Sequence, residues 1–284
     1  MQVLTDPRAM QAWADAERAA GRTIALVPTM GALHAGHMTL VAEARAHADR
    51  VVVSVFVNPM QFDRRDDFEK YPRTLATDGA MCEEAGVDAI YAPTASAMYP
   101  EGFATGVEVA GLTAPLCGAQ RPGHFRGVTT VVAKLFHAVR PHVAVFGEKD
   151  YQQLAVVRRM VADLDFGIDV VGVPTVREPA GLALSSRNRR LDAAARRAAI
   201  CIPRALAAAG AAVAGGETSA GAVVDRAARA IAAEPAVRLE YCELRDPVTL
   251  GEVHTVAAPA ILAVAAWVGG VRLIDNRVLV PGEH

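Results

Sequence analysis

Cysteine is scarce in this sequence, and no two cysteines are close together. The 284 residues include only Cys82, Cys117, Cys201 and Cys242, with no C-x-x-C pair among them. Such wide spacing disfavours a zinc site or a disulfide framework. We therefore expect reduced thiols with a structural role.

The chain also lacks a long uninterrupted apolar run. The longest, 256–271, is broken by Pro259 and Gly269 and falls short of the ~20 residues that a membrane-spanning helix needs. At the N-terminus, Asp6 and Arg8 stand where a signal peptide would have its apolar core. The sequence therefore predicts a protein without a membrane segment, located in the cytoplasm.

Positive charge is not in excess. Lys and Arg number 29 against 31 Asp and Glu, a formal net charge of −2. Proteins that bind nucleic acid neutralise phosphates with a basic surface, and the one dense basic run here is 187–190. We expect small-molecule substrates and no nucleic-acid partner.

Apolar strand-like runs alternate with helical stretches through the first part of the chain. The strands are continuous Val, Ile and Ala runs, which is typical of strands buried on both faces of a parallel sheet. We predict an α/β fold, a Rossmann-like doubly wound parallel sheet, over 1–175. The predicted strands are 23–27, 51–57, 88–92, 142–146 and 169–173, with helices at about 38–49, 74–85, 124–139 and 150–163.

Beyond residue 175 the pattern changes to helices followed by strands. Residues 191–234 are alanine-rich and helical, and strand-like runs follow at 238–244, 260–268 and 271–274. This order predicts a smaller C-terminal α+β domain over 176–284. Prolines stiffen the connection between the two domains, and this connection could serve as a hinge. We therefore expect the C-terminal domain to act as a lid.

The turn after the first predicted strand contains His34-Ala35-Gly36-His37. Backbone N–H groups and the positive end of the helix dipole gather at a helix N-terminus, where Gly31 and Gly36 would let an anion approach. Imidazoles at His34 and His37 could then donate to phosphoryl oxygens. The alternative is that both are merely polar residues in a strand-to-helix turn.

The turns after the later strands are also rich in polar groups. Asn58 and Gln61 offer neutral amides that suit a carboxylate or hydroxyl substrate, although we favour a plain turn for the Asn58-Pro59 pair. Lys149 suits phosphate, and Asp150 suits Mg²⁺ or a ribose, the alternative being a helix cap.

Two serines and an arginine, Ser185, Ser186 and Arg187, follow the fifth predicted strand. They form a donor-rich loop that could close over a triphosphate, or else an interdomain linker with a helix cap at Ser185 or Asn188. Because the carboxyl ends of parallel strands share one edge of a sheet, we expect all four turns to meet there.

Together these motifs resemble a known family. The His34–His37 element and the later Ser-Ser-Arg loop are similar to the HIGH and KMSKS pair of the nucleotidyltransferase superfamily. More narrowly, PTMGALHAGH, FVNPMQF, FGEKDYQQL and LALSSRN occur in order between residues 24 and 190. This set resembles the pantoate–β-alanine ligase family.

The resemblance implies a two-step ligation. Pantoate attacks the α-phosphorus of ATP to give pantoyl adenylate and pyrophosphate, and the amine of β-alanine then displaces AMP to give pantothenate, a precursor in coenzyme A synthesis. Mg²⁺ would accompany ATP. The resemblance also implies a homodimer.

The same resemblance implies roles for particular residues. Catalytic roles fall on His34, His37, Lys149, Ser185, Ser186 and Arg187. ATP contacts fall on Met30, Gly31, Ala32, Leu33, His34, Ala35, Gly36, His37, Gly147, Glu148, Lys149, Asp150, Val176, Leu184, Ser185, Ser186 and Arg187. Pantoate would bind Gln61 and Gln153, with Gln61 also near β-alanine. Asp78 and Asp150 are the candidate metal ligands, Asp78 because it remains where some relatives carry an acidic run.

Two other classes of function remain open on sequence grounds. One is a related nucleotidyltransferase, either an aminoacyl-tRNA synthetase fragment or a nucleotide-transferring cofactor enzyme. The other is a nucleotide-binding module without activity, which would bind ATP but not turn it over.

Overall fold

The structure, a computed structural model, describes residues 1–282. The chain divides into two compact units. The first comprises 1–114, 118–148 and 153–174, and the second comprises 115–117, 149–152 and the chain from Thr175 onward.

The first unit is built on a six-stranded parallel sheet, which confirms the predicted α/β class. Its strands follow the order β1-β4-β3-β2-β5-β6. They are β1 (Gln2–Leu4), β2 (Ile24–Thr29), β3 (Arg50–Val55), β4 (Ala89–Tyr91), β5 (Val143–Gly147) and β6 (Asp169–Val173). Strand β1 was not predicted, because a three-residue edge strand carries too short a pattern to be recognised.

Burial explains why the strand sequences are apolar throughout. Ile24, Ala25, Leu26 and Val27 of β2 are all fully buried, as expected for a central strand covered on both faces. The strand order reverses at β2, which has β3 on one side and β5 on the other. Ligands of such sheets bind beyond the carboxyl ends of the strands at this reversal.

Eight α-helices precede β6 in the described chain. They are α1 (Pro7–Ala19), α2 (Ala35–His47), α3 (Arg65–Glu69), α4 (Leu75–Glu84), α5 (Ala95–Met98), α6 (Cys117–Gln120), α7 (His124–Val139) and α8 (Tyr151–Asp163). Four of them, α2, α4, α7 and α8, match the predicted stretches. Helix α2 begins at Ala35, three residues earlier than expected, because His34 is extended and serves as its N-cap residue. His37 therefore lies in the first turn of the helix.

The second unit confirms the predicted smaller α+β fold. Its helices α9 (Ala193–Ala199), α10 (Cys201–Ala214) and α11 (Ala220–Ala232) accompany an antiparallel sheet of β7 (Val237–Arg245), β8 (Ala260–Val268) and β9 (Val271–Leu279). Strand β9 runs five residues beyond the predicted end at Ile274. Its continuation, 275–277, is polar and carries no strand-like apolar pattern, yet the strand pairs with β8 throughout.

One helical stretch, Ala193–Ala214, is long and apolar enough to cross a membrane by length and composition alone. Part of that stretch is core: Ile202, Leu206 and Ala209 are almost fully buried and belong to the apolar cluster of the second unit. A core helix of a folded domain can have the same length and apolar composition, so this stretch is weak support for a membrane span. The run 256–271 forms β8 and the start of β9.

Candidate active site

The loop between β2 and α2 is held by internal hydrogen bonds. Gly31 N–H donates to Thr29 Oγ1 at 3.1 Å, and the amides of Ala32 and Leu33 donate to the carboxylate of Asp78 at 3.0 and 2.8 Å. Gly31 and Ala32 both have positive φ, +78° and +52°. The loop is thus tightly bent, and its amides face inward.

The expected anion site at the helix N-terminus stays a prediction, but the amides of the loop before the helix are engaged within the protein. The His34 N–H also donates internally, to His37 Nδ1 at 3.3 Å. Four successive amides, from Gly31 to His34, are therefore engaged within the protein. The first turn of α2, where the helix dipole is positive, is where an anion would be favoured.

The two histidines lie side by side at the start of α2. Their ring centroids are 4.1 Å apart at an interplanar angle of 34°, and both residues are partly buried. Because His37 Nδ1 accepts a hydrogen bond, the neutral ring carries its proton on Nε2. His37 therefore presents an Nε2–H donor.

Asn58, at the end of the loop after β3, is the centre of a buried network. It is 1% exposed, and its Nδ2 donates to Gln61 Oε1 and to Gly127 O, each at 3.0 Å. Its Oδ1 accepts from Tyr99 Oη at 2.8 Å and from Met60 N at 3.2 Å. The expectation that Asn58-Pro59 is only a turn was incomplete, because its amide also connects three elements.

The network fixes the orientation of the Gln61 amide. With Oε1 accepting from Asn58, the Gln61 Nε2 group points to Met30 Sδ at 3.2 Å. The Gln61 carbonyl accepts from His124 Nδ1 at 2.7 Å and Arg121 Nη2 at 3.0 Å. The turn after β3 is therefore attached to the loop after β2 within the first unit.

Arg121 in turn pairs with Asp63 at 2.7 Å. Burial would raise the pKa of Asp63, but the hydrogen bond and positive charge of Arg121 outweigh it, and the pKa is lowered. The carboxylate is thus charged at neutral pH. It keeps Arg121 directed at the Gln61 turn.

The segment after β5 carries Lys149 and Asp150. Glu148–Asp150 forms a single 3₁₀ turn, and the Lys149 ammonium lies 3.5 Å from Asp150 Oδ2. Asn276 Nδ2 donates to the Lys149 carbonyl at 2.9 Å. Within the second unit, β9 therefore holds the backbone that presents Lys149.

The loop after β6 is anchored rather than loose. Arg177 makes a two-pronged ion pair with Asp275 at 2.7 and 2.9 Å, and Leu184 N–H donates to Val176 O at 2.9 Å. Ser185 Oγ accepts from the Arg187 amide at 3.2 Å, so Ser185 caps the following 3₁₀ turn, Ser186–Arg190. This cap confirms one of the alternatives weighed from the sequence.

Glu178 fixes the other side of the same loop. It pairs with Arg196 and accepts from Asn188 Nδ2 at 2.9 Å. Burial acts to raise the pKa of Glu178, but the hydrogen bonds from Arg196 and Asn188 outweigh it and hold the pKa below its ordinary value. Two ion pairs thus hold the segment that displays Ser185 to Arg187.

The residues present do not form a metal cage. Among residues 1–282, no group of three or more His, Cys, Asp or Glu side chains is arranged to hold a metal ion. Both oxygens of Asp78 accept backbone hydrogen bonds, and the Asp150 side chain is 48% exposed.

The candidate residues fall into two sets. In the first unit the structure brings Gln61 to Met30, at the start of the 30–37 segment, and places Gln153 on α8. Lys149 and Asp150, together with Val176 and 184–187, belong to the second unit. The convergence of all four turns on one site stays a prediction.

Sequence reasoning missed Tyr99, Arg121 and His124. Tyr99 is 41 residues from Asn58, and Arg121 and His124 are 60 and 63 residues from Gln61. No spacing rule links such positions. The one local signal for the Asn58 network was the Asn-Pro dipeptide, which places an amide side chain at the end of a strand.

Relatives of known name resemble the chain over nearly its full length. It is 51% identical to a pantothenate synthetase of Geobacter sulfurreducens, with 98% of this chain and 99% of the relative covered. A pantothenate synthetase structure from Thermus thermophilus is 47% identical, with a TM-score of 0.94 and 99% and 100% of the two chains covered. A pantoate–β-alanine ligase from Francisella tularensis, complexed with β-γ ATP and β-alanine, is 30% identical, with a TM-score of 0.80 over 98% and 97% of the chains.

A doubly wound sheet with a His-Ala-Gly-His helix start beyond β2 and an ordered amide turn beyond β3 defines an α/β enzyme of the ATP-dependent ligase class. The model of one family, described as pantoate–β-alanine ligase, matches residues 2–278. The chain belongs to the pantoate–β-alanine ligase family, whose reaction is the ATP-dependent formation of pantothenate. This membership sets aside the tRNA synthetase fragment, the other nucleotide-transferring enzymes and the inactive binding module.

Proposed function

We propose that this chain joins pantoate to β-alanine in two steps at the residues described above. In the first step a pantoate carboxylate oxygen bonds to the α-phosphorus of ATP, and the bond to pyrophosphate breaks. In the second step the β-alanine nitrogen bonds to the acyl carbon of pantoyl adenylate, AMP leaves, and the amine loses a proton.

ATP would be held by residues from both units. In the first unit the segment 30–37 would contact the nucleotide, with His34 and His37 donating to phosphoryl oxygens. A preorganised donor stabilises the charge that develops in the transition state without reorganising. The remaining contacts would come from 147–150, Val176 and 184–187, with Lys149 and Arg187 supplying positive charge.

Pantoate would bind at Gln61 and Gln153, and β-alanine near Gln61. The observation that carries this proposal is the direction of the Gln61 amide: its Nε2 group is aimed by Asn58, yet the contact that it makes is to the thioether of Met30. Sulfur is a weak acceptor. A substrate carboxylate or hydroxyl oxygen would replace it with a stronger hydrogen bond.

The first step needs no protein base. A carboxylate is already a nucleophile, so the contribution of the protein is to orient it in line with the α-phosphorus and to stabilise charge on the phosphates. Rigid positioning of Gln61 by Asn58 and Tyr99 serves that purpose.

Enzymes of this ATP-dependent family generally use a divalent metal with the nucleotide. We propose that ATP enters as its Mg²⁺ complex and that the phosphates supply most of the metal ligands, as Mg²⁺ sites commonly do. Of the two candidates, Asp150 remains as a contact on the nucleotide side.

The decisive test is incubation of the protein with pantoate, β-alanine and MgATP. We expect AMP and pantothenate in equal amounts, and ATP–pyrophosphate exchange that requires pantoate but not β-alanine. Exchange without pantoate, or AMP formed with no pantothenate, would contradict the proposal.

The pantoate site can be tested through Tyr99. Burial raises the pKa of Tyr99, so the phenol stays protonated and donates to Asn58 Oδ1 at any ordinary pH. Tyr99→Phe removes this donor at a cost of about 1 kcal/mol. We expect the KM for pantoate to rise about fivefold while the KM for ATP changes little.

Tyr91→Phe is the matched control for Tyr99→Phe. The Tyr91 hydroxyl is also buried in the first unit, but it donates to Met98 Sδ at 3.7 Å and makes no hydrogen bond to Asn58. If both substitutions raised the KM for pantoate equally, the effect of Tyr99 would not depend on its hydrogen bond to Asn58, which would contradict the proposal.

We further propose, from the family resemblance, that the protein is a homodimer, and from the sequence pattern that it is cytoplasmic and that 176–284 acts as a lid. Sedimentation velocity tests the first point. A dimer mass that persists at low protein concentration would support it, and a monomer mass would contradict it.

A further inference from the structure

Asp78 is a buried carboxylate directed at the loop that precedes His34. Its side chain is 1% exposed, and it sits in the first turn of α4. Oδ1 accepts from the Leu33 amide at 2.8 Å, and Oδ2 accepts from the Ala32 amide at 3.0 Å. The Thr74 hydroxyl lies 3.2 and 3.1 Å from the same two oxygens and donates to one of them at a time.

The conformation of the loop depends on this carboxylate. Ala32 has φ +52°, a left-handed value that a residue with a Cβ rarely adopts. Such a conformation persists only where the surroundings hold it, and here the hydrogen bonds of Ala32 and Leu33 to Asp78 do so. A Cβ on Gly31 would lie 2.9 Å from Asp78 Oδ2, so the carboxylate can approach only because residue 31 has no side chain.

The same contacts argue against Asp78 as a metal ligand. Each oxygen already accepts a backbone N–H, and the hydroxyl of Thr74 supplies a third donor. A carboxylate has about four acceptor positions, so these donors occupy most of them. A metal ion that displaced either amide would leave it buried and unsatisfied, which is costly. The geometry is that of a carboxylate compensated by neutral dipoles.

We propose that Asp78 is a positioning residue for the adenylation step. It holds the amides of Ala32 and Leu33 so that the chain enters α2 in one direction, and it thereby sets the positions of His34 and His37. This inference rests on the proposed function, because it assumes that segment 30–37 binds ATP. Asp78 itself touches neither substrate nor metal.

The test compares Asp78→Asn with the wild type. A carboxamide has the same shape, but only its oxygen can accept, and its NH₂ group would face the second backbone amide. We expect the amide proton resonances of Ala32 and Leu33 in the nucleotide-free protein to move upfield. The KM for ATP should rise about tenfold or more, with the KM for pantoate within about twofold.

The Mg²⁺ dependence separates positioning from metal binding. At saturating ATP the Mg²⁺ concentration for half-maximal rate should be the same in Asp78→Asn and wild type. If excess Mg²⁺ restores the wild-type rate, or if the Ala32 and Leu33 resonances do not move, Asp78 is not the positioning residue inferred here.

Thr74 provides a second variant that leaves the carboxylate in place. Thr74→Val removes the hydroxyl, whereas Thr74→Ser keeps it. For Thr74→Val we expect the resonances of the same two amides to shift, and the KM for ATP to rise, by less than in Asp78→Asn. For Thr74→Ser we expect both quantities to return to the wild-type values. Equal behaviour of Val and Ser at this position would also overturn the inference.

Glu84→Gln is the matched control, since it removes one charge from an exposed position of the same helix. The two proposals can fail separately. If the wild type binds ATP but makes no pantothenate, the proposed function is wrong, whereas the loop amide shifts and the ATP affinity still decide the role of Asp78.

Discussion

At the residue scale, His37 helps to form the start of α2, because its Nδ1 accepts from the His34 amide. The proposed function gives it a second role, a hydrogen bond from Nε2–H to a phosphoryl oxygen. His37→Ala removes both interactions. Loss of one preorganised donor typically costs about 10²-fold or more in rate, and we expect that loss in pyrophosphate release under single-turnover conditions.

The matched control is His47→Ala, at the end of the same helix. His47 is well exposed and contacts Glu43 at 3.1 Å, so its removal also takes an imidazole from α2, but at the opposite end of the helix from the 30–37 segment. Lys149→Ala should match the loss seen for His37→Ala. An unchanged burst rate in the Lys149 and His37 variants would remove both residues from the chemistry.

At the element scale, Gly127 lets α7 pack directly on the Gln61 turn. A Cβ at residue 127 would lie 2.3 Å from Met60 O and 2.7 Å from Gln61 N, closer than atoms can approach. Gly127→Ala should therefore push the turn away, despite the better helix propensity of alanine. We expect a loss of about 1–3 kcal/mol in the free energy of unfolding and a raised KM for pantoate, measured by urea unfolding and steady-state kinetics.

Gly79→Ala is the control for that substitution. Gly79 lies within α4, and a Cβ there meets nothing within 4 Å. The same change should stabilise the protein by about 0.5–1 kcal/mol. If both variants were stabilised, the packing of α7 on the turn would not be tight.

Also at the element scale, Glu178 makes the loop after β6 sensitive to acid. Its folded pKa is below the ordinary value of 4.5, so its contribution to stability is complete above pH 4.5 and is lost as the pH falls through the folded pKa. We expect Glu178→Gln to flatten the decline of the free energy of unfolding between about pH 5 and 3.

Urea unfolding at several pH values checks this expectation. The exposed Glu101→Gln is a suitable control, because it removes the same charge away from the loop. If the free energy of unfolding fell equally with decreasing pH in the wild type and the Glu178 variant, the ion pair with Arg196 would contribute nothing to stability.

At the scale of the whole molecule, the second unit is not one continuous stretch of chain. It includes 115–117 and 149–152, where Gln152 accepts from Cys117 N and donates to Pro115 O. Asn276 of β9 donates to the Lys149 carbonyl. A fragment cut at 175/176 would therefore lack part of its own packing.

We expect the isolated fragment 176–284 to unfold at a lower temperature than the full chain. Asn276→Ala should destabilise the full chain by about 1 kcal/mol, because it leaves the Lys149 carbonyl without this donor, and should cost the fragment less. Thermal unfolding by circular dichroism measures both. An equal cost in fragment and full chain would mean that the Lys149 contact adds no stability.

The sequence by itself determined the parallel sheet, the helix–strand alternation and the position of the His-Ala-Gly-His element beyond β2. These features are local. Continuous apolar strands, a proline at a strand end and a periodic helix can each be recognised within a short window. The family resemblance is carried by local motifs of the same kind.

Only the tertiary structure decided which polar groups face each other. Asp78 reaches the amides of Ala32 and Leu33 across 46 and 45 residues of sequence, and Arg177 reaches Asp275 across 98. Since such hydrogen bonds join distant parts of the chain, no sequence window contains both partners. The hydrogen bonds of Asp78 to the loop, which suggest its positioning role, could therefore be found only from the fold.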